Sequence, residues 1–216
     1  MREIVLDTET TGLNKEKNRI IEIGAVELFD RMPTGNFIHY RINPQMIIPE
    51  DSTKVCGITN EMVKNSPIFG EIVDELLSFI KNDPIIAHNI KFDAGFVNME
   101  LERLNLPILQ NPLVDTLEIA RKVFPGMPCN LDALCKRFKI SLHKRSKHGA
   151  LLDAQLLVEV YINLLEKTNK ECLLVEEDFQ LSSNEIFNWN RNLIIFPSSE
   201  ELQEHEVIIE KLNNNN

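Results

Sequence analysis

Three strand-like runs fall within the first 43 residues, and their order narrows the possible folds more than any other feature of the chain. Residues 2–8 (REIVLDT) read as a short buried strand. Residues 19–29 (RIIEIGAVELF) alternate apolar and polar and read as a second. Residues 36–43 (NFIHYRIN) read as a third, closed by Pro44. Connections this short suit an antiparallel meander. Residues 44–65 read as an irregular loop with a short helix around Asn60–Lys64. Ser66-Pro67 then opens a helix with Ile68, Ile72, Val73, Leu76, Leu77 and Ile80 at helical spacing. Pro84-Ile85-Ile86-Ala87-His88 is a fourth, buried strand, and helices are expected at about 92–105, 116–124, 130–138 and 149–166. Strands, then a helix, then a strand returning to the sheet imply an α/β layer fold with a mixed sheet. No internal repeat is visible.

Length and composition fit one such domain with an appendage: 216 residues, 43% hydrophobic and 26% charged, enough to bury a sizeable core. No apolar run approaches the roughly 20 residues of a membrane span. The N-terminus carries Glu3 and Asp7 where a secretory signal would be apolar. The four cysteines (Cys56, Cys129, Cys135, Cys172) form no C-x-x-C pair. Together these predict a reduced, cytoplasmic protein with no structural zinc. Beyond Thr168 the patterning weakens. Residues 1–167 are expected to be the main domain, 168–190 a polar linker, and 191–216 a separate segment with a disordered Asn end. In that segment Asn192-Leu193-Ile194-Ile195-Phe196 is strand-like, and Ser198 with Glu201 offers a capping box for a helix to about Leu212.

A net charge of −10 argues against a nucleic-acid partner until its distribution is considered. Residues 1–165 hold 22 acids and 19 Lys/Arg, whereas residues 166–216 hold 11 acids and 4 Lys/Arg. The excess acid therefore belongs mainly to the last quarter. Six Lys/Arg and no acid lie between Lys136 and Lys147. Such a run is either a solvated surface or a phosphate contact.

The sharpest chemical feature is Asp7-Thr8-Glu9. On a strand, residues i and i+2 share one face, so both carboxylates converge at the end of an apolar strand. Two such acids repel unless a cation relieves them, and hard divalent ions suit the job; alone, the pair also reads as two solvated acids. A second element is His88-Asn89-Ile90-Lys91-Phe92-Asp93, where a buried strand turns into a helix with Asp93 in its first turn. Asp93 there is either a site acid at a strand end or a helix N-terminal acid complementing the dipole. The third is His148-Gly149-Ala150-Leu151-Leu152-Asp153. Five residues apart on one helix means about 140° of separation, so His148 is better placed on the loop before the helix and Asp153 within it. Asp153 lies among Ala150, Leu151, Leu152, Ala154, Leu156 and Leu157, where an acid needs a partner or a metal.

D-x-E on the first strand, H-N-x-x-F-D after a later one and H-x4-D on the last helix resemble the DEDDh 3′–5′ exonucleases. Longer stretches sharpen the likeness: LDTETTGLN (6–14), RIIEIGAVEL (19–28), HNIKFDAGF (88–96), FPGMPCNLDALCKRF (124–138) and HGALLDAQLLVEVY (148–161). They resemble the epsilon proofreading subunits of bacterial DNA polymerase III, and LIIFPSSEELQEHE (193–206) resembles the epsilon segment that tethers that subunit to the polymerase. The resemblance implies an RNase H-like, five-stranded mixed sheet flanked by helices, with a C-terminal linker and docking segment. It implies two Mg²⁺ or Mn²⁺ ions held by Asp7, Glu9, Asp93 and Asp153, with His148 as general base. It implies a DNA 3′ end as substrate, helped by Thr8 and Thr10, and the alpha subunit as partner through the C-terminal segment. Asp51 and Cys56 fall where the family contacts substrate, although Cys56 replaces a family histidine in Val55-Cys56-Gly57-Ile58. The stretch Lys170-Glu171-Cys172-Leu173-Leu174 lacks the leading Gln of a clamp-binding motif, so clamp binding is not expected. A free-standing DNase or RNase of the same family, and a catalytically silent bridging subunit, are the competing readings. The tail argues against the first and the intact acid set against the second.

Overall fold

A computed structural model describes residues 1–142 and 148–179, with side chains through residue 168. Strand β1 (Arg2–Thr10) lies at the centre of a five-stranded sheet. It pairs antiparallel with β2 (Ile20–Phe29), which pairs antiparallel with β3 (Met32–Arg41) at one edge. On its other side β1 pairs parallel with β4 (Ile85–Ala87), and β4 pairs parallel with β5 (Leu113–Asp115). The order is therefore β3-β2-β1-β4-β5, the mixed sheet expected.

Two apolar layers sandwich β1, which explains its unbroken Ile4-Val5-Leu6 run. Ile4 and Leu6 face helices α3 (Phe69–Ile80) and α4 (Ile90–Arg103), packing with Ile72, Leu76, Val97 and Leu101. Val5 faces the other way, into a cluster with Ile86, Leu134, Leu157 and Val160. That second layer is built by α5 (Thr116–Val123), α6 (Leu131–Phe138) and α7 (Ala150–Phe179). Two short helices, α1 (Glu50–Cys56) and α2 (Asn60–Val63), cover the sheet's near end around Ile21, Ile48 and Ile58.

The structure departs from these expectations at several element boundaries. The third strand begins at Met32, because Asp30 and Arg31 both adopt positive φ (48° and 65°) and close a two-residue hairpin. Pro33 is tolerated because β3 is an edge strand. Helix α1 occupies part of the expected loop; it ends at Gly57, whose left-handed backbone (φ 77°) returns its N–H to the Thr53 carbonyl at 2.8 Å. Helix α3 begins at Phe69 rather than Pro67, with the Ile68 N–H donating to Glu71 Oε2 at 2.9 Å. Strand β5, three residues long, had no periodicity to betray it. Helix α7 runs on to Phe179, past its expected end at about 166. Met1–Leu173 form one compact unit. The strand expected at 192–196, the helix to Leu212 and the Asn end lie outside the described residues.

Candidate active site

Register places the acids. Asp7 lies opposite Gly24, and Glu9 lies opposite Glu22, across the β1–β2 ladder. Directly opposed residues share a face, so all four positions look toward the layer that holds α7. Gly24 leaves room for that helix: a Cβ there would lie 2.4 Å from the Leu151 nitrogen and 2.5 Å from the Ala150 carbonyl carbon. The first turn of α7 therefore rests directly on β2 backbone beside Asp7.

That seating carries His148 and Asp153 to the acids. His148 sits just before α7, as expected, and its Nδ1 is 3.2 Å from Asp153 Oδ2. Asp153 is 3% exposed. One ligand atom each from Glu9, His148 and Asp153 lie within 4.8 Å of one another, an arrangement that could hold a metal ion. Carboxylate oxygens are the donors hard divalent cations prefer, and a histidine nitrogen beside them can complete such a site. The residues present therefore fit the group.

Asp93 arrives from the opposite layer and is not in that close cluster. It stands in the first turn of α4, 3% exposed, and its Oδ1 accepts the Thr8 N–H at 3.0 Å and the Thr8 hydroxyl at 2.8 Å. Burial pushes its carboxyl up, to about 7, against the opposing pull of the two Thr8 hydrogen bonds. A carboxyl held this way ionises at neutral pH most readily when positive charge comes near. The turn ahead of α4 is held by Asp115, which the sequence reading passed over. Asp115 Oδ1 accepts the Asn89 N–H at 3.1 Å and caps α5 through the Leu117 N–H at 2.9 Å. Asn89 itself takes a left-handed conformation at φ 73°. An Asp-Thr pair ahead of an amphipathic helix was the signal available for Asp115.

The residues expected at substrate divide. Thr8 is buried and its hydroxyl proton goes to Asp93, so its contact is with a site carboxylate rather than with an open surface. The Thr10 hydroxyl donates to the Gly12 carbonyl at 2.7 Å, shaping the turn after β1. Asp51 projects from α1, its side chain 96% exposed and 3.2 Å from Lys54 Nζ. Cys56 is buried, and its Sγ donates to the Ser52 carbonyl at 3.1 Å. Burial pushes its thiol up, with the Glu9 charge adding, so the side chain stays neutral. In the basic stretch, Arg137 stacks 4.3 Å over the Phe124 ring and donates to the Pro128 carbonyl, a structural commitment. Residues 143–147 lie outside the described residues.

The exonuclease family model carrying the name of RNase T matches residues 4–161. DNA polymerase III subunit epsilon of Rickettsia felis is 40% identical over 98% of this chain and 97% of its own length. The chain belongs to the epsilon family of exonucleases. The Salmonella typhimurium epsilon subunit is 39% identical over 95% of the chain and 90% of its own length. A solved structure of exonuclease X in complex with 5′ overhanging duplex DNA superposes with a TM-score of 0.62 at 24% identity, covering 77% of this chain and 93% of that one. At that identity it speaks to the fold, which is the RNase H-like mixed sheet of these nucleases. An epsilon-family member is a 3′–5′ proofreading exonuclease. Among the described residues no helix is long and apolar enough to cross a membrane.

Proposed function

We propose that the chain removes mispaired nucleotides from the 3′ end of DNA as the proofreading subunit of DNA polymerase III, releasing nucleoside 5′-monophosphates with two Mg²⁺ or Mn²⁺ ions. The observation that supports this best is the joining of Glu9, His148 and Asp153 from two distant segments, in a chain that matches epsilon subunits almost end to end. Asp7, Glu9, Asp93 and Asp153 would hold the cations. When bound, such ions acidify a water and offset charge on the leaving 3′-oxygen.

The chain's own residues do the rest. His148 takes the proton from the attacking water. Its side chain is 46% exposed, so a solvent molecule can reach it, and its contact with Asp153 limits where the ring can point. Thr8 holds Asp93 by two hydrogen bonds, so this acid enters from the other layer in a fixed orientation. Gly24 admits α7 and sets how near His148 and Asp153 come to β1. Thr10 shapes the turn where the 3′ nucleotide would enter.

The C-terminal segment 191–216 would dock on the alpha subunit. The match to the Rickettsia felis subunit spans 98% of the chain and so includes this region. A millimolar effective concentration of nuclease near the primer end is what a short tether typically provides. Such a subunit works in the cytoplasm, where the replicated DNA is. The assignment of His148 is tested by single-turnover hydrolysis of a 3′-labelled primer at saturating Mg²⁺. His148→Ala should slow the chemical step by roughly 10²–10⁴-fold, with the Mg²⁺ concentration for half-maximal rate little changed. A variant that loses metal binding but keeps its rate at saturating metal would make His148 a ligand instead.

A further inference from the structure

Glu22 is a buried acid that none of the roles above employs. It stands on β2 directly opposite Glu9, 4% exposed, and two like charges in that register destabilise a sheet unless something offsets them. What offsets them is specific. Glu22 Oε2 accepts the backbone N–H of Ala150, the first residue of α7, at 2.7 Å. A carboxylate there satisfies an N–H that has no partner within its helix and meets the positive end of the helix dipole. The other oxygen, Oε1, is 2.9 Å from His39 Nε2 and 3.6 Å from Arg41 Nε, both on β3. Glu22 thus ties β3, β2 and the start of α7 together. Its helix contact lies two residues after His148 and three before Asp153.

We propose that Glu22 is a positioning residue for hydrolysis: its carboxylate fixes the N-terminus of α7 and thereby holds His148 and Asp153 at Glu9. The inference rests on the reading that His148 and Asp153 serve the reaction, and the test separates the two. In the full chain, Glu22→Ala should lower kcat on single-stranded DNA by roughly 10- to 100-fold, the usual range for residues that orient a metal site from behind, with KM within about twofold. Glu22→Gln should recover the rate to within about threefold, because the amide oxygen still reaches the Ala150 N–H. In a His148→Ala background, Glu22→Ala should cost less than it does alone, since part of what it positions is already gone.

An unchanged kcat in Glu22→Ala, a Gln variant as slow as the Ala variant, or full additivity with His148→Ala would each overturn the proposal. If His148→Ala itself keeps full activity, the general-base reading fails. Glu22 is then judged on Asp153 alone, through the Mg²⁺ concentration for half-maximal rate, which Glu22→Ala should raise and which, unchanged, refutes it. If circular dichroism shows Glu22→Ala unfolded, Glu22→Gln and Glu22→Asp decide. Asp keeps the charge but falls about one C–C bond, roughly 1.5 Å, short of the helix. An Asp variant slower than the Gln variant supports positioning by reach; an Asp variant as fast or faster refutes it.

Discussion

Replacing Gly24 with alanine is the smallest change that should disable the site without touching any residue that meets substrate. The added methyl would sit 2.4 Å from the Leu151 nitrogen and 2.5 Å from the Ala150 carbonyl carbon and the Leu151 Cα. All three are backbone atoms, so no side chain can swing aside. Carbon contacts relax at roughly 3.5–4.0 Å, so the start of α7 must lift by about 1 Å. That motion also stretches the 2.7 Å bond from the Ala150 N–H to Glu22 and carries His148 and Asp153 off the strand that holds Asp7 and Glu9. A displacement of about 1 Å in reacting groups costs about 10²-fold in rate, and overpacking of this kind costs about 1–3 kcal/mol of stability. The assay is kcat on a single-stranded oligonucleotide at saturating Mg²⁺, with a thermal melt of each protein. Gly70→Ala is the control: on α3 its Cβ meets only the Leu104 side chain at 3.4 Å, so activity should not change. A folded Gly24→Ala enzyme within threefold of the wild-type rate would refute a dependence of hydrolysis on how α7 seats His148 and Asp153.

The carboxyl of Asp93 is raised from 3.8 to about 7 in the fold, so its contribution to stability is complete below pH 3.8 and is lost as pH rises through 7. In chelator, the wild-type melting temperature should therefore fall relative to that of Asp93→Asn between pH 4 and 7.5, a difference that Mg²⁺ should shrink; parallel pH profiles for the two proteins would contradict it. Deleting residues 190–216 should leave hydrolysis of free single-stranded DNA intact while removing most of the affinity for the alpha subunit in a calorimetric titration, and undiminished binding would count against a docking tail.

Much of the site was legible because its parts are local. An apolar strand ending in Asp7-x-Glu9 and a helix opening at His148-x4-Asp153 state their geometry through periods of two and 3.6 residues. Pairing across the sheet was not legible. Nothing in the linear sequence singles out Gly24 or Glu22 until the β1–β2 register sets them opposite Asp7 and Glu9. The family resemblance implies that Thr8 helps hold the nucleotide. Alternation turns it to the other face, where Asp93 waits on α4. Helix α1 carried its signals in Pro49, the acids Glu50 and Asp51, and Gly57, but seven residues are too few for periodicity to show. Strand β5 is shorter still, and Asp115 at its end became visible only through the Asn89 turn it holds.

Metal-dependent removal of a mispaired 3′ terminus can be watched on a primer–template carrying one 3′ mismatch. With Mg²⁺ the full chain should release the terminal nucleotide as a 5′-monophosphate, faster than from the matched primer. Release should stop on adding chelator and be absent in a folded Asp7→Ala variant. Hydrolysis that survives chelation, or an Asp7→Ala protein that still trims the primer, would contradict the account.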